Sequence, residues 1–212
     1  MKYFLLFTLC IFFSLNATAI CPKQKIEVVF KKKHGKIIYN NELHHSKFQN
    51  VANYTLPKNV RGLTVSKITV TSAVEGRGFK YLNSQCVGIS KINFYIGFDD
   101  FKVYINQPYR PGSCEYYAVK DHEDEHVDIY KEGLEFFAPD IKKALRDAVK
   151  NLRPEQVYSK ARAQQVFDKQ VKEVSKKIQP LLDHINAKLH EKQRAIDTDE
   201  SYRRVTRKCR NW

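Results

Sequence analysis

Outside its first residues this 212-residue chain has no apolar run long enough to cross a bilayer. Glycine and proline are scarce, at eight and seven residues, which excludes a collagen-like chain. With 42% hydrophobic residues the chain is also not too polar to build a core. Acidic residues are outnumbered, 23 against 37 Lys and Arg, and the formal charge of +14 draws the chain toward anionic surfaces. None of the five cysteines sits in a C-x-x-C pair, which argues against a zinc ribbon or a thioredoxin-type redox site. No repeat or low-complexity linker is visible, and neither a Ser-His-Asp triad nor a glycosidase-type carboxylate pair leaves a local signal.

Met1-Lys2 precedes an uncharged apolar stretch from Tyr3 to Leu15, and Ala17-Thr18-Ala19 supplies the small residues a signal peptidase accepts. The pattern predicts a signal peptide over 1–19, cleaved near Ala19, and a single domain over 20–212 exported to the periplasm or beyond. Ile20 is a poor residue to precede a lipidated cysteine, so no lipid anchor is expected at Cys21. Cys10 leaves with the leader. Cys21, Cys86, Cys114 and Cys209 remain, an even number that suits two disulfides with three pairings open.

Strand patterns fill the front half: Lys25–Phe30 and Lys36–Tyr39 flanking a His34-Gly35 turn, then Val65–Ala73, Val87–Ile96 and Phe101–Ile105. Gly97 and Asp99-Asp100 read as a hairpin turn between the last two. Helical spacing takes over after Ser113, a good N-cap for a helix to about Phe137. Pro139-Asp140 predicts a break, and Ile141 to Leu152 a second helix. Pro154 opens a third, with an apolar seam from Phe167 to Leu189 and a kink or break at Pro180. The expectation is an α+β fold, antiparallel strands first and after them a helical C-terminal half that carries a motif on its first helix.

That motif is His122-Glu123-Asp124-Glu125-His126, an H-E-x-x-H. Histidines at i and i+4 of a helix stand one turn apart on one face and can reach the same ion, and the Glu beside the first is placed to take a proton from water at the metal. At about 100° per residue, both His share a face with Val119, Ile129, Tyr130, Gly133 and Phe137, while Asp121, Asp124, Asp128, Lys131 and Glu135 fall opposite. The pair therefore points inward. In a chain with seven His, roughly 0.01 chance matches to the motif are expected.

Zinc in a catalytic site takes a third protein ligand and keeps one position open. Ile129 stands where a metzincin has glycine, so the ligand comes from elsewhere: Asp197 or Asp199 in Ala195-Ile196-Asp197-Thr198-Asp199-Glu200-Ser201-Tyr202, Asp140, His184 or His190. The signal sequence, the strand-rich front, Cys114 just ahead of the motif and the late Ile-Asp-Thr-Asp segment together resemble bacterial secreted proteins described as predicted zinc-dependent proteases. That resemblance implies Asp197 as the third ligand, although Ile196 stands where those proteins have a tyrosine and no His-Gly follows. A looser similarity to aspzincins implies Asp199 with Tyr202. Asp197 is the reading taken.

The function these residues predict is a zinc-dependent metallopeptidase. His122, His126 and Asp197 hold the metal, Glu123 is the general base, and Tyr130 or Tyr202 donates to the oxyanion. By analogy with zincins, Phe101–Asn106 is the edge strand that pairs with a peptide or protein substrate. The rival is a non-catalytic basic envelope protein with a structural or inactive metal site. Its Lys31-Lys32-Lys33, the lysines of the third helix, and Arg203, Arg204, Arg207, Lys208 and Arg210 would meet anionic lipid or wall polymer. Aromatics do not interleave with these basic runs, and nucleic acid is not an expected partner of an exported chain.

Overall fold

The computed structural model describes residues 20–52, 55–56, 60–210 and 212; the expected signal peptide lies outside them. The order is β1 (Glu27–His34), β2 (Ile37–Asn40), a 3₁₀ turn (His45–Asn50), β3 (Gly62–Val65), β4 (Ile68–Tyr81), β5 (Ser84–Phe98) and β6 (Phe101–Ile105), then α1 (Cys114–Val149), β7 (Glu155–Val157), α2 (Lys160–Ile196) and α3 (Asp199–Arg207). Strands first and helices after, the chain is α+β.

Two sheets form, β1-β5-β4 with β7 also on β5, and β2-β6-β3. The expected turns at His34-Gly35 and Asp99-Asp100 do not reverse the chain. β1 runs parallel to β5 with Glu27 opposite Lys91, and β2 runs parallel to β6 with Ile37 opposite Phe101. The offset between partners is the same in both pairs, so the two paths bend together where hairpins were expected. Three backbone bonds carry the ladder across the bend: Gly35 N–H to Phe98 O (2.8 Å), Phe101 N–H to Lys36 O (2.8 Å) and Asp99 N–H to Lys67 O (2.9 Å). The antiparallel pairs are β3–β6, β4–β5 and β5–β7. The β6 strand lies between β2 and β3, so the strand expected to be an edge is central and β2 and β3 are the edges.

The helices are longer than their prolines suggested. Pro139 and Pro180 both lie inside continuous helices. Each ring is exposed, and the apolar stripe runs on past it, through Ile141 and Leu145 in α1 and Ile185 and Leu189 in α2. Burial along these stripes outweighs the roughly 3 kcal/mol cost of an interior proline. Pro154 does not open a helix but precedes β7, and Ser159 caps α2. Three residues are too few to leave a period of two.

Both helices pack on the sheets over one apolar core, to which β5 contributes Ile89, Ile92, Phe94, Ile96 and Phe98. The helices touch at Gly133, where an added Cβ would displace the Leu189 side chain. Disulfides join Cys21 to Cys86 and Cys114 to Cys209, the first occupying the thiol a lipid anchor would need. Two such bridges fit a non-reducing, exported compartment. Among the described residues no helix is long and apolar enough to cross a membrane.

Candidate metal centre

The Ser113 side chain accepts from Tyr116 N–H at 3.1 Å and starts α1, which sets the phase of the buried stripe two turns later. His122, Glu123 and His126 are 4%, 3% and 8% exposed, and the imidazole centroids lie 5.0 Å apart. Among the described residues these three form the group able to offer one ligand atom each within 4.8 Å of one another. They could hold a metal ion.

Glu123 leaves the helix toward β3. That strand comes so close that a Cβ on Gly62 would stand 2.5 Å from Glu123 Oε1 and 2.6 Å from Val119 Cγ1. Two residues on, Thr64 Oγ1 donates to Glu123 Oε2 at 2.8 Å. Burial raises the Glu123 pKa, against the pull of both imidazoles and the Thr64 hydrogen bond. A carboxyl so placed binds a proton more tightly than a solvated one.

From the other side α2 delivers Gln193 and its own C-cap, Asp197. Asp197 Oδ1 lies 3.3 Å from His122 Nε2 and 3.2 Å from His126 Nε2. Thr198 caps α3, which turns Tyr202 back so that its hydroxyl donates to the same Oδ1 at 3.0 Å. Gln193 Nε2 donates to the His126 carbonyl at 2.9 Å, which leaves Oε1 to accept from His126 Nδ1–H. With its proton on Nδ1, the imidazole turns the Nε2 lone pair toward Asp197.

Two lone pairs facing at 3.2 Å require positive charge between them. Burial works against a charged His126, but the Asp197 hydrogen bond, Glu123 and Gln193 outweigh it and push the pKa up to about 9. Burial likewise opposes ionised Asp197, yet the imidazoles and Tyr202 hold that carboxyl well below its ordinary range. The alternative to a proton is a metal ion, and the donor set fits one. A four-coordinate ion with N and O donors at about 2.0 Å spaces them roughly 3.3 Å apart, the separation found from each imidazole to Asp197.

One side of the group is open. A cavity of about 410 Å³ is lined by Glu123, His126, Asp197 and Tyr202, by Leu56, Val60 and Gly62–Ser66, and by Tyr130, His190, Gln193 and Arg194. The structure thus brings His122, Glu123, His126 and Asp197 together. Asp199 is exposed in the first turn of α3, where its charge suits the helix N-terminus. Asp140 is exposed on α1, and His184 lies edge-on to Phe137 at 6.4 Å. His190 reaches the cavity wall without joining the donors. Tyr130 packs against Phe98 with centroids 4.9 Å apart. Sequence reasoning missed Gln193, Thr64 and Gly62; only Gln193, one turn before Asp197 on α2, leaves a usable spacing signal. No protein-family model, curated protein or solved structure matches the chain.

Proposed function

We propose that the protein is a zinc-dependent metallopeptidase, with His122, His126 and Asp197 as the protein ligands and Glu123 as the general base. The observation that carries this reading is one carboxylate oxygen within 3.3 Å of both imidazole Nε2 atoms of an H-E-x-x-H pair, beside a cavity that Glu123 also lines. Bound zinc would polarise a peptide carbonyl and make water acidic enough to attack it near neutral pH.

The chain's own groups do the rest. Glu123, its proton affinity raised by burial, takes the proton from the attacking water and passes it to the departing amine. Thr64 fixes one of its oxygens, so the carboxylate needs little reorganisation. Tyr202 spends its hydroxyl on Asp197. That leaves Tyr130, on the cavity wall, as the phenol to steady the developing oxyanion. Substrate backbone adds to the edge of β3 that pairs with no strand among the described residues, and β3 lines the same cavity. The resemblance to secreted proteins described as predicted zinc-dependent proteases supports the same reading.

The rival envelope-binding role finds less free charge than the basic runs suggested, because Lys32 pairs with Glu135, Arg204 with Glu125 and Lys208 with Asp121. The test is metal analysis beside a cleavage assay on the chain lacking residues 1–19. One zinc per chain is expected, lost in His126→Ala, and retained in Glu123→Gln while hydrolysis of a denatured protein substrate disappears. Full hydrolysis by Glu123→Gln refutes the mechanism.

A further inference from the structure

The cavity at the metal centre does not end there. A second hollow of about 540 Å³ shares Val65, Ser66, Tyr130 and His190 with it, so the two form one groove. The β3 strand makes one wall and α2 the other. From α2 the groove receives Asn186, His190, Arg194 and Asp197, which recur every three or four residues along one helix face.

The charges on that wall are unbalanced. Both carboxylates of the first cavity are engaged, Glu123 by Thr64 and Asp197 by the imidazoles and Tyr202. The Arg194 guanidinium enters no hydrogen bond or ion pair among the described residues; its charge reaches Glu191, one turn before it, but that carboxylate is held by Lys188 at 2.7 Å. Arginines of α3 are used differently, Arg203 pairing with Glu200 and Arg204 with Glu125. Across the first cavity Leu56, Val60 and Leu63 offer no acceptor side chain, and the carboxylates of the second hollow, Asp99 and Asp100, already accept from Thr69 Oγ1 and the Lys36 N–H. The last turn of α2 favours a cation electrostatically, but that does not fill the guanidinium's planar fork of donors.

We propose that this groove selects polypeptide segments that bring a carboxylate to Arg194, with His190 beside it. The proposal deepens the peptidase reading and rests on it for the nature of the occupant. A carboxylate matches the guanidinium two bonds to two, and the net charge of +14 steers acidic chains toward the protein. The carboxylate comes from an Asp or Glu side chain or from a free C-terminus.

Zinc-loaded Glu123→Gln protein, which binds without cleaving, serves as receptor for fluorescein-labelled Ala/Ser decapeptides read by anisotropy. One Glu is walked through every position of C-terminally amidated peptides, against Gln and Lys at the same positions. A Glu-free peptide with a free C-terminal carboxylate forms the second arm. At one position Glu should bind about ten-fold tighter than Gln; if the advantage lies with the free-acid peptide instead, the terminal carboxylate is the source. Adding Arg194→Ala should remove the advantage, and Arg194→Glu should transfer it to Lys, with zinc content unchanged in both.

Equal binding of Glu, Gln and Lys peptides with no free-acid advantage overturns the proposal. So does a preference that survives Arg194→Ala, or binding by none of the peptides. Selective binding joined to a wild-type protein that cleaves nothing refutes the peptidase reading alone. Cleavage indifferent to Glu and to Arg194 refutes the carboxylate selection alone.

Discussion

At the scale of single residues, the site depends on which ring nitrogen carries a proton. Gln193 settles this for His126 by bonding twice, once to the ring and once to the backbone of the same residue. Replacing it with leucine keeps the volume and removes both bonds. Metal affinity of Gln193→Leu, measured by competition with a chromophoric chelator, should fall by about 10- to 100-fold while the fold persists. The three residues of the motif were legible because their relation is local, one helical turn written directly into the spacing. Asp197 lies 71 residues from His126 and meets it only through tertiary packing, so residue patterns left it among several candidates and a resemblance singled it out. Thr64 was invisible, since a threonine in a strand carries no mark of what it will face.

Elements meet at the site through one close approach. The β3 strand lies against α1 at Gly62, where any side chain would collide with Glu123 and Val119. Gly62→Ala should destabilise the protein by about 1–3 kcal/mol in urea unfolding. Hydrolysis should fall further than zinc content, because Glu123 moves before the imidazoles do. The helices were legible from their seams, but the prolines misled. A proline is read locally as a stop, whereas its cost is weighed against an apolar stripe that continues on both sides of Pro139 and Pro180. Turn residues misled in the same way at Asp99-Asp100: a chain that bends beside a parallel neighbour carries the same punctuation as one that folds back.

For the molecule as a whole, protons and stability are linked, and a metal ion held at this site would be linked to both. The folded pKa of His126 is raised to about 9 from an ordinary 6.5. In the metal-free protein its protonation therefore contributes stability that is complete below pH 6.5 and lost as pH rises through 9. A metal ion must displace that proton, so metal affinity climbs with pH over the same window. Chelation should then lower Tm more at pH 8.5 than at pH 6.5, as scanning calorimetry with and without chelator would register. The α+β order was legible from the change of period near Ser113, and the cysteine count implied two bridges. Their partners were not legible, because pairing is decided by which distant segments the core brings together.

The bridge between Cys114 and Cys209 has one more effect. It closes a covalent ring of chain that contains both imidazoles, Glu123, Gln193, Asp197 and Tyr202. A protease that severs this ring once, anywhere along it, opens a circle without parting it, and every residue of the candidate metal centre stays tethered to the others. In a non-reducing, exported compartment shared with proteases, that is a form of damage tolerance.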